Sequence, residues 1–132
     1  MKKIAIATLL LSTGAAQAMS EYYLESIATA QQELLIAATA AFGKADGERF
    51  SSAHIATIKN TIDGFLATNL DANCNQVKNW TETETKHLFL GDDAKDYMKQ
   101  GLKGKAAEMT VVMKKSGWLA FEYCNARQSD VG

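Results

Sequence analysis

The chain has no proline, only two cysteines and only two histidines in 132 residues. Without proline, nothing covalent forces a helix to kink or stop, so caps and glycines must set the element ends. With His54 and His87 the sole imidazoles, a metal site or a base-activated thiol would need a spacing that neither provides. No G-x-S-x-G elbow, phosphate-cradling glycine loop, HExxH or CxxCH occurs. The carboxylate pairs Asp92/Asp93 and Glu82/Glu84 sit in polar stretches, where such pairs serve as caps or surface charge rather than as an acid–base couple. Haem would need two facing ligands, and among His54, His87, Met98, Met109 and Met113 no pairing stands out. Methionines at helical spacing are core filler. The expectation is therefore a protein that is not an enzyme and holds neither cofactor nor metal.

Basic excess is also lacking. Fourteen Lys and Arg stand against fifteen Asp and Glu, a formal charge of −1. Nucleic acid and anionic membrane surfaces call for clustered cations, so neither is an expected partner. Past the N-terminus there is no second long hydrophobic run.

The N-terminus does have one. Lys2 and Lys3 precede an apolar stretch from Ile4 to Leu11, and small and polar residues then lead to Ala16-Gln17-Ala18. This is the three-part layout of a secretory signal peptide. The apolar stretch is too short to span a bilayer as a finished helix. Residues 1–18 are thus expected to be cut off after Ala18, with residues 19–132 exported as a single helical domain. Removing Lys2 and Lys3 leaves the exported domain more acidic than the whole chain, which suits a basic partner.

Cys74 and Cys124 both lie in the exported part. An isolated pair in an oxidising compartment forms a disulfide. Closing a loop of about fifty residues would stabilise the fold by about 4 kcal/mol through lost unfolded-state entropy.

Hydrophobic periodicity predicts helices. Tyr23, Ile27, Ala30, Leu34, Ala38 and Ala41 share one face of a first helix from Ser20 to Phe42, closed by Gly43. Lys44 to Arg49 reads as a polar loop. A second helix from Ser51 or Ser52 carries Ile55, Ile58, Ile62, Phe65, Leu66 and Leu70 inward. Residues 71–79 suit a short helix holding Cys74 and Val77. From Trp80 to Thr85 two readings stay open: a helix begun by a Thr81-x-x-Glu84 capping box and ending at Gly91, or an alternating, exposed strand. A longer helix from Asp92 or Asp93 to Ser116 would place Ala94, Tyr97, Met98, Leu102, Ala106, Met109, Val112 and Met113 inward, weakened or broken at Gly101 and Gly104. Gly117 would end it before a last apolar segment, Trp118 to Ala126.

The expected fold is all-α, a compact bundle of four to five helices stapled by one disulfide. The alternative is α+β, a helical hairpin against a small antiparallel sheet in residues 80–124, with Lys114-Lys115-Ser116-Gly117 as a hairpin turn. The expected contact element is the charged 44–49 loop, through Asp46, Glu48 and Arg49, together with Trp80. Trp80 lies between Asn79 and Thr81 and is the tryptophan expected to be exposed, while Trp118 belongs with Leu119, Phe121 and Tyr123 in the core.

With its leader (Met1 to Ala18), modest length, helical stripes and Cys74/Cys124 pair, the chain resembles the small exported immunity proteins of type VI secretion systems. That resemblance implies a periplasmic inhibitor, often a homodimer, that binds a cognate cell-wall-degrading effector, a peptidoglycan hydrolase, and blocks its active site. Such hydrolases act on an anionic polymer and often have basic clefts, which an acidic inhibitor would complement. A periplasmic stress chaperone, also small, helical and disulfide-linked, is the rival expectation.

Overall fold

The computed structural model describes residues 21–90 and 104–131. They form four helices: α1 (Glu21–Phe42), α2 (Lys44–Leu66), α3 (Cys74–Leu90) and α4 (Ala106–Val131). The fold is a compact all-α bundle, and no strand occurs among the described residues. The α+β alternative is overturned: Lys114 to Gly117 is continuous helix, with the Ser116 hydroxyl bonded 2.8 Å back to Val112 O. None of the described helices is long and apolar enough to cross a membrane. Residues 1–20, with the expected leader and Ser20, and residues 91–103, with Gly91, Asp92, Asp93, Ala94, Tyr97, Met98, Gly101 and Leu102, lie outside the described residues.

The loop expected at Lys44 to Arg49 is not a loop. Gly43 alone reverses the chain, at φ 92°. Its N–H donates to Thr39 O at the end of α1, and its carbonyl accepts from Gly47 N at the start of α2. One residue therefore ends one helix and opens the next, which the left-handed region permits glycine at little cost. Released from loop duty, Lys44 to Arg49 form the first turns of α2, with Asp46 near the positive end of the helix dipole.

Two further boundaries differ from expectation. The capping-box reading at Thr81 fails because α3 has already begun at Cys74, where the Asn73 side-chain oxygen accepts from the N–H groups of Asn75 (2.8 Å) and Gln76 (3.3 Å). Thr81 sits inside the helix with its hydroxyl bonded to Val77 O at 2.8 Å. Nor does Gly117 end a helix. It lies inside α4, where a β-carbon would stand 2.6 Å from Cγ of the Glu82 side chain on α3. Gly104 does precede a helix start, at φ 76°.

Helix α4 is the hub, packing on the other three. Ser26 donates to Glu122 at 2.7 Å and Lys105 donates to Ala41 O at 3.2 Å, so α1 and α4 run antiparallel. The Cys74–Cys124 disulfide, with Cα atoms 5.7 Å apart, joins the start of α3 to the far part of α4, making those two antiparallel as well. Helices α2 and α4 run parallel, tied where Asp63 accepts from the Tyr123 hydroxyl (2.9 Å) and pairs with Arg127 (3.1 Å).

The core contains Ile27, Ala30, Leu34, Ala38 and Ala41 of α1, as the spacing predicts. It also holds Ile58, Ile62 and Leu66 of α2, Val77 and Phe89 of α3, and Val112, Leu119 and Ala120 of α4. Phe65 and Leu70, expected inward, are instead about half exposed, and Ile55 is only partly buried. The inward face of α2 is rotated onto Phe50, His54, Ile58 and Ile62. Among the expected inner residues of α4, Val112 is fully buried, Met109 and Met113 pack partly against the core, and Ala106 is exposed.

Candidate functional site

Three places could carry function, and they differ in what they can reach. The first is the interior around His54. Its Nε2 lies 3.1 Å from Thr85 Oγ1 on α3 and 3.1 Å from Ser116 Oγ on α4. Both hydroxyls spend their single proton on shorter bonds of 2.8 Å to the carbonyls four residues back, Thr81 O and Val112 O. With both hydroxyl protons so placed, the imidazole carries hydrogen on Nε2 and shares it between the two oxygens. Its ring stacks on Phe50 at 4.8 Å, and Phe50 meets Phe42 and Phe89 at 5.2 and 5.6 Å. Burial in this apolar surround pulls the His54 pKa down to about 4.

A histidine beside a serine invites a catalytic reading. Yet Ser116 and Thr85 are fully buried and His54 nearly so, and the Ser116 proton is directed at backbone. No substrate can meet that hydroxyl without opening the bundle. Its role is to join α2, α3 and α4 by a satisfied polar node.

The second place is the start of α2, where two of the expected contact residues pair with each other. Arg49 reaches Asp46 at 2.6 Å, three residues apart, and Lys44 reaches Glu48 at 3.1 Å, four apart. These are solvent-facing pairs, each worth less than about 1 kcal/mol, so they leave the charges open to a better partner. Beside them runs a cleft of about 340 Å³ between α1 and α2, lined by Gln31, Leu35, Glu48, Ser51 and Ile55 among others.

The third place is a groove of about 920 Å³ at the other end of α2. Phe65, Leu70 and Trp80 stand around it, 45 %, 53 % and 50 % exposed, over Ile62 and Val77. Its rim carries Asn69, Asn73 and Gln76. The connection forming one wall is held by Gln128, whose amide donates to Leu70 O (3.0 Å) and Ala72 O (2.6 Å), next to the disulfide.

Trp80 is thus exposed, as its polar neighbours imply, and Trp118 is partly buried against the core. The structure does not unite Trp80 with Asp46, Glu48 and Arg49: the groove meets α2 at Thr61, roughly 20 Å along the helix from Glu48. Sequence reasoning missed Phe65 and Leu70 as surface residues, and it missed the His54–Thr85–Ser116 node. A signal for the node existed, since Cys74, Val77, Thr81, Thr85 and Phe89 recur at three- and four-residue steps and include two threonines on the buried face.

Comparison with known proteins adds no relative: no family model matches the chain, and no curated protein or solved structure matches it either.

Proposed function

We propose that this chain is a periplasmic immunity protein, exported after cleavage at Ala18, which binds a cell-wall-degrading effector and occludes it without catalysis of its own. The observation that carries the reading is the groove around Trp80. Phe65, Leu70 and Trp80 stand about half in solvent around this one groove, and tryptophan is the residue type most enriched in binding hot spots. The disulfide agrees with an oxidising compartment. The closed state of the His54 node favours binding over chemistry. A homodimer is part of the proposal, as the resemblance implies.

A specific observation supports the rival, a stress chaperone. Protonating His54 would place a charge in the core and loosen three helices at once, as an acid-activated chaperone requires.

Pull-down from periplasmic extract separates the two. The immunity reading expects one stoichiometric partner at neutral pH, recovered at least tenfold less with Trp80→Ala bait. Many weak clients appearing only at acid pH would replace it with the chaperone. Recovery of the same partner by wild-type and Trp80→Ala baits alike would remove the groove from the interface.

A further inference from the structure

We infer that the groove around Trp80 is a redox-dependent binding surface: it holds its binding shape while Cys74 and Cys124 are joined, and it loses its Leu70 wall when they are reduced. The inference rests on the reading that the partner docks in this groove, and it adds what regulates the docking.

The wall is a strip of chain with little support of its own. Thr68 to Asn73 line the groove in unbroken succession, and all but Ala72 are exposed. They connect α2 to α3, two helices that scarcely pack on each other. What fastens the strip is α4. Cys124 holds Cys74, the first residue of α3, through the disulfide. Gln128, one turn further along the same face of α4, donates to Leu70 O and Ala72 O. The two fastenings touch, since Gln128 Oε1 lies 3.3 Å from Cys74 Sγ.

Forming the bond takes two electrons and two protons from the thiols and delivers them to the disulfide of an exchange partner, which leaves as a dithiol. Reduction by a dithiol runs the same exchange backwards. Once each sulfur carries a proton, the pair cannot stay at bonding distance, and one side chain must give. Cys124 is fully buried among packed helices, whereas Cys74 adjoins the exposed strip. The displacement therefore falls on Cys74 and disturbs the Gln128 carboxamide in contact with it. A loosened carboxamide releases both carbonyls to water, and Leu70 then has no fixed place in the groove. A wall that must be ordered at docking lowers affinity. Docking is thereby confined to an oxidising compartment, and the chain is idle while still reduced.

The test compares nitrogen–proton correlation NMR spectra of three purified samples: the oxidised protein, the same protein reduced with dithiothreitol and then freed of it, and Gln128→Met, which keeps the disulfide. Reduction should shift the Leu70 and Ala72 amides, the Trp80 indole and the Gln128 side-chain amide, and leave the amides of α1 where they were. Gln128→Met should reproduce the Leu70 and Trp80 shifts with a melting temperature within about 10 °C of wild type, so that the change reports the wall and not the fold. A partner captured from periplasmic extract by the oxidised protein should bind the reduced form and Gln128→Met each at least tenfold more weakly. Unmoved Leu70 and Trp80 signals on reduction, changes spread equally over all four helices, or equal affinity of the oxidised and reduced forms would overturn the inference. The spectra need no partner, so an oxidised bait that recovers nothing removes the immunity reading while Leu70, Trp80 and Gln128 still decide the coupling.

Discussion

Gly47 lies against the backbone of Thr39: a β-carbon at position 47 would stand 2.5 Å from Thr39 Cα. Helices α1 and α2, joined only by Gly43, reach this distance because neither a loop nor a side chain separates them. Gly47→Ala should therefore destabilise the protein by about 1–3 kcal/mol, since the obstruction is backbone and cannot rotate away. The matched control is Gly64→Ala on the same helix, where nothing lies within 4 Å. There alanine should add about 0.5–1 kcal/mol through helix propensity. Thermal melts of the two variants, moving in opposite directions, check the contact.

Gly43→Ala tests the turn itself. At φ 92° a β-carbon is strained although space is open around it. A loss of about 1–2 kcal/mol is expected by chemical denaturation. A neutral substitution would mean the helices can be joined in another way.

The disulfide between Cys74 and Cys124 closes a separation of 50 residues. Its replacement by two alanines should cost about 4 kcal/mol by the loop-entropy argument. Denaturation midpoints of the oxidised, reduced and doubly substituted protein measure this. In the native protein both sulfurs should resist alkylation until reductant is added.

The pH dependence follows from His54. Its pKa falls from 6.5 in the unfolded chain to about 4 in the fold, so between those values the unfolded state binds more protons. Stability is then full above about pH 6.5, declines as the pH drops toward 4, and is lower by about 3 kcal/mol below that. His54→Leu should flatten this part of the stability profile. Thr85 and Ser116 keep their backbone acceptors in that variant, so the bundle has reason to fold. An unchanged acid decline in His54→Leu would assign it to carboxylates instead.

Surface charge at the start of α2 should matter for association and not for folding. Asp46→Lys with Glu48→Lys removes two exposed pairs, and the melting temperature should shift by no more than a few degrees. Association with a basic partner should slow, and more so at low ionic strength, as stopped-flow kinetics would show.

Helical character, the inward stripe of α1 and the pairing of the two cysteines were all readable from residue order. Each depends on local period or on there being one partner to choose. No proline and a regular recurrence from Ile27 to Ala41 suffice for the first two, whatever surrounds them. The ends of α2, α3 and α4 were not readable in this way. Gly43, Gly47 and Gly117 look alike in sequence, yet one turns the chain, one lies against the backbone of α1 and one faces the Glu82 side chain of α3, and only the neighbour distinguishes those places. The side of α2 that faces inward was settled the same way. Phe65 is as apolar as Phe50, but His54 finds its acceptors on α3 and α4, and that pairing accompanies a rotation that leaves Phe65 at the rim. Contacts between residues 31 and 62 positions apart cannot be seen in a period of three or four, which is why the node, the groove and the cleft emerged only once the helices were packed.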